Sequence, residues 1–250
     1  FEVIIADDCS QDSTAEVVGR IEGVRLVSND RNLKFLKNCN HAVEYCRGDF
    51  ICLLNNDTSV KPGWLDMMIE VFDSRTDAGL VGSKLVYADG RLQEAGGIVW
   101  DDGSAWNYGR LKDPTLPEYN YVREADYVSG ASIMIRRDFF EDLGLFDTRF
   151  EPAYYEDTDL AFKVREAGFK VYYQPRSEVV HYEGVSHGTE ESEGIKRYQT
   201  ENRRKFYAKW QSVLSREHFP NGKFVLRARD RARKKTTVLV IDHYVPHFDM

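Results

Sequence analysis

Apolar residues fall in short blocks, separated by polar, glycine-bearing or proline-bearing breaks. Residues 1–6 (FEVIIA) are apolar and β-branched and predict a strand in which the chain opens. Asp7-Asp8-Cys9-Ser10 reads as a turn, and Ser13-x-x-Glu16 as a capping box starting a helix to about Arg20. Residues 24–28 predict a second strand, 37–46 a helix ended by Gly48, and 49–54 a buried apolar strand. Strand and helix thus alternate through the first 60 residues, the pattern of a parallel α/β sheet.

Pro62 and Gly63 break the chain before a helix over 64–73. A strand over 80–87 leads into residues 90–117, which are polar, aromatic and without clear period, as functional segments often are. A strand is predicted over 127–135, helices over 137–143 and 158–167, and short strands over 171–174 and 179–180. Residues 193–218 read as a polar, basic helix, and 237–242 (TVLVID) as a strand opening another α/β unit. The expected organisation is one α/β domain over 1–192, a basic helix and linker over 193–235, and a truncated further domain over 236–250.

Charge sharpens that division. The net charge of −7 is uneven, because residues 196–235 carry 14 Lys/Arg against 3 Asp/Glu while residues 1–195 carry 20 against 36. An acidic body with a basic tail predicts two regions with different tasks. The longest clean apolar run, Phe50–Leu54, is far short of the ~20 residues needed to span a bilayer. Cys9, Cys39, Cys46 and Cys52 form no C-x-x-C pair and read as free thiols in a reducing, cytoplasmic compartment.

Candidate chemistry gathers where predicted strands end. Asp8 follows the first strand, where open α/β sheets bind ligands and a carboxylate can accept from a base or a ribose; the plainer reading is an Asx turn. Asn55-Asn56-Asp57-Thr58 follows the 49–54 strand; it suits a half-site for Mg²⁺ or Mn²⁺, or simply a turn. Tyr154-Tyr155-Glu156-Asp157-Thr158-Asp159 puts three acids in four positions before a helix, more than capping needs, and one of them could serve as a general base. His181 and His187 follow a short strand; His187 reads first as a structural or exposed histidine, while His181 reads equally as that or as a ligand for metal or phosphate. No phosphate-binding G-x-x-x-x-G-K-[ST], dinucleotide G-x-G-x-x-G or serine elbow is present, which argues against P-loop kinases, NAD-dependent dehydrogenases and serine hydrolases.

In order along the chain, VIIADDCSQDST, RNLKFLKNCNHAV, GDFICLLNNDTSVKPGWL, VSGASIMIRRDFFEDLGLFD, YYEDTDLAFKVREAGF and VVHYEGVS resemble the family 2 glycosyltransferases of GT-A fold. The likeness is strongest to bacterial enzymes of rhamnose-containing polysaccharide and O-antigen assembly. It implies a mixed, mostly parallel sheet flanked by helices, with the family's opening strand missing. It also implies site roles: Asp8 on the donor's base, Asn32 in the donor loop, Asn56 beside the ribose, Asp57 on a Mg²⁺ or Mn²⁺ bridging the diphosphate, and His181 near that metal. Asp157 would be the catalytic base, with Glu156 and Asp159 supporting it. Two departures stand out: Asn55-Asn56-Asp57 carries one carboxylate where the family has two, and Lys34 stands where the family's loop has glycine.

The expected reaction is inverting, metal-dependent transfer from a UDP- or dTDP-sugar to a saccharide or lipid-linked saccharide. The acceptor is expected between residues 96–117 and Gly130-Ala131-Ser132, where Trp100, Trp106 and Tyr108 read equally as sugar-stacking faces or as a partly buried aromatic cluster. Residues 196–235 read first as a solvated helix and linker, next as a contact for anionic lipid at the inner face of the cell membrane, and last as a nucleic-acid surface. The rival classes are a nucleotidyltransferase, which lacks its glycine-rich loop here, and a non-catalytic carbohydrate-binding or scaffolding module.

Overall fold

The computed structural model describes residues 1–182, 197–236 and 238. Residues 237 and 239–242 of the predicted strand, residues 193–196 of the basic helix, and His187 lie outside those residues.

β1 (Val3–Asp7) and β2 (Val24–Ser28) pair in parallel around the short helix α1 (Thr14–Val18). The capping box at Ser13 does not form; the Asp12 carboxylate instead accepts from the Thr14 N–H at 2.9 Å. α2 (Lys34–Val43) leads into β3 (Phe50–Leu54), β4 (Thr58–Val60), α3 (Trp64–Ser74) and the nine-residue β5 (Ala78–Val86), buried at every position. The irregular stretch resolves into three short strands, β6 (Leu92–Glu94), β7 (Gly97–Val99) and β8 (Ala105–Asn107). β9 (Arg123–Glu124), β10 (Ser132–Arg136), α4 (Arg137–Asp142), α5 (Glu156–Glu166), β11 (Lys170–His181), α6 (Arg197–Glu217) and α7 (Val225–Arg229) complete the described elements.

The larger sheet has the order β3-β10-β5-β11-β4, with β6 on β5 and β9 on β11. It is mixed, as expected, but its hydrogen-bonded neighbours are parallel only at β5–β11. The reason is that β10 lies antiparallel between β3 and β5, so these two run the same way without pairing. β3, β5 and β11 therefore deliver their carboxyl ends to one edge, where open sheets place ligands. The two short strands predicted after residue 170 are one strand, carried past Pro175 by a bulge between Gln174 and Glu178.

Side chains alternate across the sheet. Leu80, Ile133, Ile135, Val171 and Tyr173 join the main core, while Val81, Met134 and Tyr172 face Met68, Val71 and Phe72 of α3. Each fully buried aliphatic side chain contributes about 1.5–3 kcal/mol. Gly97 is required where β7 meets Tyr127, because a Cβ there would sit 1.8 Å from the tyrosine ring.

α6 is not the solvated helix its composition predicts. Phe206, Trp210 and Leu214, one face at i, i+4, i+8, are buried in the main core, and Phe206 meets Phe162 of α5 edge-on at 4.8 Å. The basic tail also pairs with the acidic body. Arg231 bonds Glu124 at 2.9 Å and also bonds Asp126, Lys235 bonds Glu124 at 3.1 Å, and Lys209 bonds Asp147 at 2.9 Å. Burial alone would raise the pKa of Asp126, but His218, Arg231 and Arg165 hold it well below the usual carboxylate range. Much of the charge asymmetry is thus neutralised within the molecule.

Candidate active site

The carboxyl ends of β3, β5 and β11 border a cavity of about 880 Å³. One wall carries Asp57, in the turn after β3, and His181, the last residue of β11. β4 brings them together, since Thr58 is in register with His181 and the Tyr182 N–H donates to the Asp57 carbonyl at 2.9 Å. Nε2 of His181 stands 3.2 Å from Oδ1 of Asp57, and each side chain is only 13% exposed. Nδ1 of His181 bonds the amide oxygen of Gln93 at 3.0 Å; an amide oxygen only accepts, so Nδ1 is the donor of this pair.

Oδ1 of Asp57 has no hydrogen-bond partner. A carboxylate oxygen this close to an imidazole nitrogen takes a proton or a cation between them. Imidazole nitrogen plus carboxylate is a fitting donor set for Mg²⁺ or Mn²⁺, with the partner Gln93 fixing the ring as metal-bound histidines require. Among the described residues no group of three or more His, Cys, Asp or Glu side chains that could hold a metal forms; Asp57 and His181 stand as a pair.

Asp157, in the first turn of α5, lines the same cavity. The Gly130 N–H donates to its Oδ2 at 2.9 Å, and the Thr158 N–H donates to its Oδ1 at 2.6 Å. Burial raises its proton affinity above that of an ordinary aspartate, and these amides offset part of the rise. Glu156 also lines the cavity; burial, then the charge of Asp157, pushes it up to about 8. The approach to α5 is tight, with Tyr154 at φ 76° and Tyr155 at φ 73°, left-handed values that cost non-glycine residues about 1 kcal/mol each. Asn202 of α6 holds this turn, its Nδ2 donating to the carbonyls of Phe150, Ala153 and Tyr154 at 2.7, 2.9 and 3.0 Å.

Several expected site residues lie elsewhere. Asp159 is fully buried away from the cavity, accepting from Lys209 Nζ at 2.8 Å and Trp210 Nε1 at 2.7 Å, because two helical positions past Asp157 turn it to the other face of α5, toward α6. Asp8 does not line the cavity: its carboxylate accepts from the Leu33 and Lys34 N–H groups at 2.6 and 2.8 Å and from Asn29 Nδ2 at 2.9 Å. Asn32 belongs to the same loop, its side chain accepting from the Lys34 N–H at 3.1 Å, and is likewise outside the cavity wall. Lys34 adopts φ 65°, so it keeps the backbone a glycine would take and is held there by the bonds from Asp8 and Asn32. Asn56 is not part of the wall; it is Asn55 that lines it, its N–H donating to Ala131 at 3.0 Å.

Gly130 and Trp106 do line the cavity, and Trp106 is 43% exposed. Tyr108 lines it as well, whereas Trp100 is wholly buried beneath Trp106 and offers no sugar a face. Gln93, Glu94 and Asn202 are not legible in the sequence as site residues. The first two sit in the stretch without period, and Asn202 is one polar residue in a polar helix.

Residues 1–144 match the family profile described as Glycosyl transferase family 2. A protein of Sinorhizobium fredii called uncharacterized protein y4gI is 34% identical over 203 residues, which cover 77% of this chain and 22% of that protein. The O-antigen biosynthesis protein RfbC of Myxococcus xanthus is 31% identical over 195 residues, covering 74% and 15%. The N-acetylglucosaminyl-diphospho-decaprenol L-rhamnosyltransferase of Mycobacterium tuberculosis is 26% identical over 213 residues, covering 74% and 68%. The chain thus spans less than a quarter of the length of the first two relatives. Among solved structures, GalNAc-T7 with UDP, GalNAc and Mn²⁺ superposes with a TM-score of 0.66 at 15% identity, covering 86% of this chain and 43% of that one. The Pyrobaculum calidifontis mannosyltransferase with GDP-Man and Mn²⁺ gives 0.56 at 16%, covering 86% and 59%. These likenesses establish the GT-A fold. With more than half of its residues inside the family match, the chain belongs to glycosyl transferase family 2.

Proposed function

We propose that this chain transfers a sugar, with inversion, from a UDP- or dTDP-sugar to a saccharide or lipid-linked saccharide in polysaccharide or O-antigen assembly. The observation that carries the reading is that Asp57, His181 and Asp157 line one cavity. The names of the Myxococcus and Mycobacterium relatives support the acceptor class.

Asp57 and His181 would hold a Mg²⁺ or Mn²⁺, which when bound supplies Lewis-acid stabilisation of the departing diphosphate. Asp157 takes the proton of the attacking acceptor hydroxyl. Its two anchoring amides fix the carboxylate plane, leaving further lone pairs for that hydroxyl. Its raised proton affinity makes it a stronger base than a surface aspartate, and positioned general bases typically contribute about 10²–10⁴-fold. Attack from the face opposite the diphosphate gives inversion, as in single-displacement glycoside chemistry. Glu156 keeps a mostly neutral carboxyl beside the base, so one negative charge rather than two meets the acceptor.

Asp8 and Asn32 shape the 29–34 loop toward the donor, and Trp106 offers a stacking face to the acceptor. Peripheral contact with anionic lipid would use the exposed Arg204, Lys223 and Arg233; no helix among the described residues is long and apolar enough to cross a membrane. Sedimentation with phosphatidylglycerol vesicles tests that contact against phosphatidylcholine alone.

The decisive experiment is a thermal-shift panel of UDP, dTDP, GDP and their sugars with and without Mn²⁺. One nucleotide is expected to raise the midpoint, more with Mn²⁺ than without; saturation at about 100 times Kd corresponds to about 2.7 kcal/mol. A flat panel overturns the reading.

A further inference from the structure

Consecutive backbone amides of Ser129 and Gly130 hold two different carboxyl groups. The Gly130 N–H donates to Asp157 Oδ2 at 2.9 Å, and the Ser129 N–H donates to Glu94 Oε1 at 3.0 Å. Adjacent peptide units thereby set the two carboxyls side by side in the same cavity. Glu94, the last residue of β6, is 1% exposed, and its Oε2 has no hydrogen-bond partner although the residue lines the cavity. A buried carboxyl oxygen left unpaired is costly, and a ligand hydroxyl entering the cavity removes that cost.

We propose that Glu94 is a saccharide-binding residue, gripping the ring hydroxyl adjacent to the one presented to Asp157, so that the site selects pyranosides with two neighbouring free hydroxyls. The inference rests on the glycosyl transfer proposed above.

The two carboxyls are suited to different halves of such a pair. Burial, with a contribution from the charge of Asp157, lifts Glu94 to about 8, against the pull of the Ser129 amide and Arg123. At neutral pH Oε1 therefore accepts from Ser129 while Oε2 carries a proton to donate. Asp157 accepts from the attacking hydroxyl, and Glu94 donates to its neighbour. Burial raises both, but Asp157 has a backbone amide on each oxygen whereas Glu94 has one on Oε1 and none on Oε2, and this difference in anchoring assigns them separate roles.

The test is saturation-transfer NMR on the full chain, with and without Mn²⁺ and the nucleotide picked out by the thermal-shift panel. The probes are methyl pyranosides of a hexose, a 6-deoxyhexose and an N-acetylhexosamine, each beside analogues lacking one hydroxyl. The wild type is expected to bind at least one glycoside and to lose about tenfold or more when a hydroxyl of the adjacent pair is removed. Glu94→Ala abolishes that discrimination. Glu94→Gln, whose amide still accepts from Ser129 and donates in place of Oε2, retains binding within about threefold. Should Glu94→Ala fail to fold, the deoxy series on the wild type and Glu94→Gln decides the matter. No binding by the wild type, discrimination surviving in Glu94→Ala, or Glu94→Gln losing the discrimination overturns the proposal. Saccharide discrimination with a flat nucleotide panel defeats the transfer reading alone; nucleotide binding without saccharide discrimination defeats this inference alone.

Discussion

Trp210 donates its indole N–H to Oδ1 of Asp159 at 2.7 Å, joining residues 51 positions apart in sequence. Asp159 is fully buried, and Lys209 supplies the opposing charge at 2.8 Å. The first turn of α5, which carries Asp157, is thereby bolted to α6. Asp159→Ala leaves the ammonium of Lys209 with Asp147 alone and the indole N–H unpaired. The expected loss is about 3 kcal/mol of stability, read as a lower urea midpoint at unchanged slope. A loss below about 0.5 kcal/mol would show that this pair does not anchor α5.

Asp157→Asn keeps the size of the side chain but removes its basicity. Transfer is expected to fall by about 10²–10⁴-fold, with nucleotide binding by thermal shift nearly unchanged. A variant retaining more than about a tenth of the wild-type rate would remove Asp157 from the role of base.

The pH profile should carry the same signature. Transfer requires ionised Asp157, and its raised pKa moves the acid limb of kcat/KM to higher pH than an ordinary aspartate at 3.8 would give. An acid limb at or below that value contradicts the assignment.

Glu156 predicts a stability effect of opposite sense to most acids. Its folded-state pKa of about 8 exceeds the reference value of 4.5, so between these values the folded state holds a proton that the unfolded state has lost. Stability contributed by this group is present below 4.5 and declines as pH rises toward 8. Glu156→Gln should flatten that decline, gaining on the order of 1–3 kcal/mol relative to wild type near the folded-state pKa in urea titrations. Parallel curves for the two proteins would dispose of the argument.

The cation half-site yields a graded expectation. His181→Ala should abolish the extra thermal stabilisation that Mn²⁺ gives to nucleotide, and Gln93→Leu should weaken apparent Mn²⁺ affinity about 10–100-fold. EDTA should reproduce the His181→Ala result on the wild type. An Mn²⁺ effect undiminished in His181→Ala would exclude the histidine from the metal.

Local chemistry explains which parts are readable from sequence. β1 and β3 follow from unbroken apolar runs and β2 and β5 from mostly apolar, β-branched ones, and Asp57 and His181 from polar residues placed where such runs end. Strand–helix alternation overstates the parallel balance of the sheet, because it does not reveal that β10 inserts antiparallel between β3 and β5. Asp8 and Asp159 look like ligand residues in one dimension. Whether such a carboxylate meets a substrate or a backbone amide depends on side-chain direction, which spacing alone leaves open. Gln93 and Glu94 lie in a stretch without periodicity, and only the pairing of β6 with β5 brings them to the cavity. The burial of α6 is hidden because charged residues outnumber the Phe206, Trp210 and Leu214 stripe that packs into the core.

The reach of Asn202 into the turn before α5 has a practical corollary for anyone shortening this protein. A cut near residue 192, the boundary that composition suggests, would strip the carbonyls of Phe150, Ala153 and Tyr154 of their shared donor and leave the carboxylate of Asp159 facing an emptied apolar slot. The remaining piece would still contain every acid of the cavity, yet the turn leading into α5, and with it Glu156 and Asp157, would have lost its support from α6. Inactivity of such a trimmed version would then report on a missing brace, not on the chemistry.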